Sequence, residues 1–112
     1  SPVEDIVLLA GVTSPVIARF VDDETLVRLD WDRELIPNVM LWLSDRALQD
    51  EPWNGRYRGL GVEPIAAAFD MDECVSVAPN PISAAGYATA LAINPGTDLH
   101  LHYSIEVGSI EH

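Results

Sequence analysis

The chain has no lysine: its six basic residues are all arginines, set against 18 aspartates and glutamates for a formal charge of −12 over 112 residues. That balance excludes nucleic-acid binding, which needs clustered positive charge to neutralise phosphates, and it disfavours an anionic membrane surface for the same reason. There is one cysteine, Cys74. It cannot close an intramolecular disulfide, so nothing calls for an oxidising compartment, and a buried thiol is the plain expectation. No apolar run approaches the ~20 residues that span a bilayer as a helix. Ser1–Leu8 lacks the basic lead-in of a secretory leader, which makes a cytoplasmic location the expectation. Histidine is missing before His100, and a sustained helical period is missing throughout.

What is present alternates. At 48% apolar residues, 112 positions supply one domain with a modest core. Ile6–Leu9 and Val16–Val21 are short apolar runs, and Asp22-Asp23-Glu24 is a polar hairpin tip. In Thr25–Asp32, Val27, Leu29 and Trp31 fall on one face and Arg28, Asp30 and Asp32 on the other, the period of a half-buried strand. Val39–Leu43 is apolar on both faces, as in a strand covered from both sides. Asp45–Gln49 has room for a single helical turn, and Pro52 and Gly55 break the segment after it. The region from Met71 to Gly86 allows a short strand at Cys74–Val77 between Pro79, Pro81 and Gly86. Tyr87–Ile93 and Leu99–Val107 read as strands on either side of Asn94-Pro95-Gly96-Thr97, whose central Pro-Gly suits a type II turn. Seven or eight short strands with turns between them predict an all-β fold, an antiparallel β-sandwich, with residues 1–112 as a single domain.

Within the stretch Arg56–Asp70, the apolar and glycine run between Arg58 and Asp70 holds one carboxylate, Glu63, with Pro64 directly after it. An unpartnered carboxylate is costly to bury. Glu63 is therefore expected to have a buried ion-pair partner or to face a ligand at the floor of a concave polar site, near a tryptophan or an arginine.

Leu60-Gly61-Val62-Glu63-Pro64 resembles the strand end of the aldose 1-epimerase (galactose mutarotase-like) superfamily, in which the glutamate is the catalytic base. Leu29-Asp30-Trp31-Asp32, Leu35-Ile36-Pro37, Leu41-Trp42 and Asn94-Pro95-Gly96-Thr97 follow the same order, so the likeness covers Val16–Val107 and only the C-terminal part of that fold. The resemblance implies a supersandwich portion, a small-molecule sugar as ligand, no cofactor or metal, and interconversion of α and β anomers with Glu63 as general base. The family's acid is a histidine from an earlier strand, and no residue here corresponds to it. Little or no mutarotase activity is therefore expected of this chain alone. A non-catalytic carbohydrate-binding sandwich and a structural or assembly domain are the alternatives.

Around Glu63, Trp53 with Asn54 is the expected sugar platform, Arg56 and Arg58 are expected to hold hydroxyls or a phosphate or else to pair with carboxylates, and Trp42 is expected in the core. His100 and His102 share a strand face, which suits a metal, but without a third ligand nearby a solvated or hydrogen-bonded pair is the reading adopted. Asp70, Asp72 and Glu73 form an acidic turn without the spacing of a calcium loop. Apolar faces and open edges predict a homodimer, or association with a missing N-terminal segment.

Overall fold

The computed structural model describes residues 2–68 and 71–111. Its strands are β1 (Val3–Leu9), β2 (Val16–Phe20), β3 (Thr25–Trp31), β4 (Asn38–Asp45), β5 (Arg58–Ile65) and β6 (Tyr103–Ser109), with two short helices, α1 (Glu73–Val77) and α2 (Pro81–Ala84), between β5 and β6. They form two antiparallel three-stranded sheets, β1-β4-β5 and β2-β3-β6, in an all-β, sandwich-like arrangement.

Alternation fixes which side chains meet. β2 and β3 are joined by the turn Val21–Glu24, in which Asp23 and Glu24 donate backbone hydrogen bonds to Phe20 and Val21 and Glu24 takes a positive φ of 52°. In β3, Leu29 stands between Val16 and Ile105, and Arg28 between Ile17 and Glu106, so the two faces divide as the sequence pattern requires. Arg28 meets Glu106 at 3.5 Å on the polar face. Leu29 and Ile105 on the other face look toward Val62 and Pro64 of β5, across apolar hollows between the sheets.

β4 is the central strand of its sheet, and Asn38, Val39 and Ser44 are its fully buried residues. Asn38 works through both ends of its amide. Its oxygen accepts from the Gly11 backbone N–H at 3.2 Å and its nitrogen donates to the Ala88 carbonyl at 2.8 Å, tying the end of β1 and a distant loop to β4. Trp31 closes the other sheet by donating from its indole to the Ile36 carbonyl at 2.7 Å, which stitches the turn after β3.

Between β5 and β6 the structure departs from the sequence reading. Cys74–Val77 lies in α1, not in a strand: Asp72 caps it by accepting from the Val75 N–H. Asn80 caps α2 in a reciprocal capping box with Ser83, with Pro81 in the first turn. Only Ser76 of α1 is buried, so the Cys74 thiol is exposed instead of packed. Residues 87–93 form no strand: the Ala88 carbonyl accepts from the Asn38 amide, and the Thr89 hydroxyl donates to the Ser76 carbonyl. The closing strand starts at Tyr103 and not at Leu99, since its partner β3 ends at Trp31. β4 continues through Asp45 where a helical turn had room to begin. Six strands, not seven or eight, result among the described residues. The Asn94–Thr97 turn is present, with Thr97 N–H donating to the Asn94 carbonyl and Gly96 at φ 78°, the left-handed value that a type II turn needs at its third residue.

Among the described residues, Trp31, Val39 and Ala68 are the buried apolar side chains, while Leu43, Leu60, Tyr103, Ile105 and Val107 are exposed. The chain exposes 8106 Å², against roughly 6,100 Å² for a compact monomer of its mass. Its radius of gyration is 16.6 Å, where about 13 Å is usual for this length. The sandwich is open.

Candidate functional site

The ladder places Glu63 on the outer face of β1-β4-β5. Met40 pairs with Glu63, Trp42 with Gly61 and Ser44 with Gly59, while Leu41 and Val39 pair with Val62 and Pro64 on the inner face. The apolar run around Glu63 is therefore an alternating strand whose outer positions are Gly59, Gly61 and Glu63. Its carboxylate is exposed, so of the two expectations the buried ion pair is not met: the glycines that resembled apolar core residues are outer-face positions without side chains.

A hollow of about 360 Å³ lies between the sheets. A separate one of about 320 Å³, on the outer face, is lined by Glu4, Ile6, Met40, Trp42 and Glu63. β1 brings Glu4 and Ile6 to it, since Ile6 pairs with Trp42 across the β1–β4 ladder. Trp42 is half-buried on this outer face, not in the core, and its indole N–H donates to Glu4 Oε1 at 3.2 Å. Gly61 leaves the space beside the indole open: a Cβ there would sit 3.4 Å from Trp42 Cβ and Cε3, at the close edge of ordinary packing. Tyr57 stacks on Trp42 with ring centroids 6.3 Å apart and planes inclined by 29°, which fixes the indole from a second side.

The remaining sequence candidates are not gathered at this hollow. Arg58 is five positions from Glu63 along β5, a separation of roughly 17 Å on an extended strand, and by alternation it belongs to the opposite face. Its guanidinium binds Asp45 at 2.9 Å, and Arg46 reaches the same Asp45 oxygen at 3.1 Å. The hydrogen bond from Arg46, reinforced by both cations, holds the Asp45 carboxyl below its ordinary value of 3.8. Trp53 and Asn54 lie in the exposed turn before β5, where Asn54 has a positive φ of 51°, and Arg56 is exposed beside them. Trp53, Asn54, Arg56 and Arg58 thus line none of the hollow that holds Glu63. Trp42 is the residue that sequence reasoning misplaced. The signal that finds it is parity: Gly59, Gly61 and Glu63 share one face, and the strand register puts Trp42 on that face with them.

His102 sits at the far end of the other sheet, where its backbone N–H donates to Asp32 Oδ2 at 2.9 Å and its ring Nδ1 lies 3.4 Å from the same oxygen. No group of three metal-ligating side chains forms among the described residues. The acidic turn can be followed only through Asp72, which caps α1, and Glu73, because Asp70 lies outside the described residues. A wider hollow of about 630 Å³ opens between Val12-Thr13 and Trp31–Leu35. Two of its charged side chains are already engaged, Arg33 with Asp30 and Asp32 with His102. No helix among the described residues is long and apolar enough to cross a membrane. No protein-family model, curated protein or solved structure matches this chain, so the chemistry of the outer-face hollow has to be argued from its own residues.

Proposed function

We propose that this chain is a carbohydrate-binding β-sandwich whose ligand lies on the outer face of β1-β4-β5, with Trp42 as the platform and Glu63 and Glu4 as hydroxyl acceptors. The observation that carries this reading is the pairing of Trp42 with Gly61, two residues from Glu63 along β5 and on the same face. An aromatic face held open by a glycine accepts the C–H face of a pyranose, and carboxylates beside it accept charge-assisted hydrogen bonds from equatorial hydroxyls. Glu4 is already oriented by the Trp42 N–H, and its remaining lone pairs stay available. At about 320 Å³ the hollow falls at the small end of ligand clefts, which run ~300–1,000 Å³, and suits one sugar ring.

Binding is favoured over anomer interconversion because ring opening needs an acid opposite the base, and the side chains lining this hollow are Glu4, Ile6, Met40, Trp42 and Glu63. None of these is a histidine comparable to the acid of the aldose 1-epimerase superfamily. Calorimetric titration with glucose, galactose and their disaccharides tests the proposal. Saturable binding that falls at least about tenfold in Trp42→Ala, and less in Glu63→Gln, is expected from the loss of a stacking partner and of one charged acceptor. Polarimetry on fresh glucose should show no acceleration. An unchanged affinity in Trp42→Ala, or loss of binding in Trp53→Ala alone, would sink the outer-face assignment.

A further inference from the structure

The opposite sheet carries a second surface, independent of the sugar face. β6 pairs with β3 alone among the described residues, so its other edge is free. The hydrogen bonds Asp32 N–H to the His102 carbonyl and Ile110 N–H to the Glu24 carbonyl show which way the strand is turned. Even-numbered residues direct their backbone groups to β3, so the N–H and C=O groups of Tyr103, Ile105, Val107 and Ser109 point to the open edge.

Sheet edges are usually guarded by charge, proline or brevity. Three of the four edges here are. β1 carries Glu4 and Asp5, β5 carries Arg58, Glu63 and Pro64, and β2 is five residues long with Arg19 within it. β6 has seven residues, no proline and one charge, Glu106, which its own Arg28 engages. Its inner-face side chains are the barest in the sheet: Tyr103 is 75% exposed, Ile105 61% and Val107 71%.

We infer that β6 pairs antiparallel with β6 of a second copy of this chain, joining the two β2-β3-β6 sheets into one six-stranded sheet about a two-fold axis. The area decides for a second copy over a small apolar ligand. An acyl chain filling the roughly 360 Å³ hollow between the sheets would bury only a few hundred Å². The surplus of about 2,000 Å² over a compact monomer is spread over the whole chain and leaves room for the interface of a stable homodimer, such interfaces burying ~2,000–5,000 Å² in total. Strand pairing also suits two chains of charge −12, because it uses backbone and apolar groups in place of opposed charge.

The register follows from the sequence of β6. Centring the axis on Glu106 would set two carboxylates directly opposite each other, which is destabilising. Centring it on Ile105 pairs that residue with its own mate, sets Tyr103 against Val107 as an aromatic and β-branched pair, and places Glu106 opposite Ser104.

Light scattering at micromolar concentration should give twice the chain mass of 12.2 kDa. Val107→Pro removes an edge-facing N–H without touching the β3 ladder, and should yield a monomer with unchanged circular dichroism. Ile105→Lys, the usual edge guard, should do the same. Because either variant could misfold, a third keeps the β-branched strand otherwise intact: Ile105→Cys in a Cys74→Ser background should oxidise to a covalent dimer, the hydrogen-bonded pair having Cα atoms ~5.5 Å apart, within disulfide reach. A monomeric parent chain, an oligomer other than a dimer, a dimer untouched by Val107→Pro and Ile105→Lys, or failure of the cysteine variant to cross-link would each overturn the inference. None of these outcomes bears on sugar binding at Trp42, which the calorimetry tests separately.

Discussion

The two sheets have the same number of strands and opposite habits. In β1-β4-β5 the central strand buries Asn38, Val39 and Ser44, and the Asn38 amide is recruited to hold distant segments. In β2-β3-β6, Trp31 alone is buried among the strand residues, and every residue of β6 is exposed. One sheet is pinned from within by polar groups and presents a concave outer face, while the other presents apolar side chains on its inner face and an unguarded edge. A buried amide can thus fix a strand in a small protein whose apolar core is too thin to do so.

The strongest way to break this contrast is Asn38→Ala, which removes a fully buried amide and its hydrogen bonds to the half-buried Gly11 N–H and to the carbonyl of exposed Ala88. At about 0.5–1.5 kcal/mol net for each hydrogen bond, a loss of roughly 1–3 kcal/mol is expected in urea denaturation. A loss below ~1 kcal/mol would mean that the amide is incidental and the two sheets are pinned alike. Ser44→Ala sharpens the contrast from the other side. The Ser44 hydroxyl is buried with no hydrogen-bond partner, so its removal should be neutral or stabilising by up to ~1 kcal/mol; a marked destabilisation would reveal a bond the geometry does not contain. The smallest effect concerns Asp45 at the end of β4. Its folded pKa is depressed below 3.8 by Arg46 and Arg58, so its stabilising contribution is present above 3.8 and lost as pH falls through the folded value. The urea midpoint of Asp45→Asn should lie slightly below that of the parent chain at neutral pH and converge with it in acid. Because the ion pairs are solvent-exposed, the gap should be narrow and should shrink further in high salt.

The β2–β3 hairpin, the strand at Val39–Leu43 and the Asn94–Thr97 turn were legible because each rests on local chemistry: alternation, an apolar run and a Pro-Gly pair. The helices at Glu73–Val77 and Pro81–Ala84 were not, although Asp72 and Asn80-Pro81 are cap signals; their prolines read equally well as breaks around a strand. Glu63 was found as the residue to watch, but the strand around it and the tryptophan beside it were read differently. Periodicity cannot tell a glycine facing solvent from one facing core, and that ambiguity turned an alternating strand into a continuous apolar one. The apolar run Val39–Leu43 sent Trp42 to the core and left Trp53 as the platform. Register, which depends on how β4 and β5 meet, is what no single strand reveals.

The ladder between β3 and β6 has a consequence for how the chain reaches this state. β3 finds β2 across a four-residue turn, whereas its partners in β6, from Trp31 with Tyr103 to Thr25 with Ser109, are 72 to 84 residues away. Loop-closure entropy makes that pairing the late and slow event, following the hairpin and the β4–β5 ladder. Until it occurs, the far side of β3 is itself an open template, and any second chain nearby can supply the missing strand before the chain's own C-terminal segment does. Exchange of β6 between copies is thus the misassembly to which this topology is most exposed, and the dilution at which the protein refolds decides whether each β3 receives its own β6 or a neighbour's.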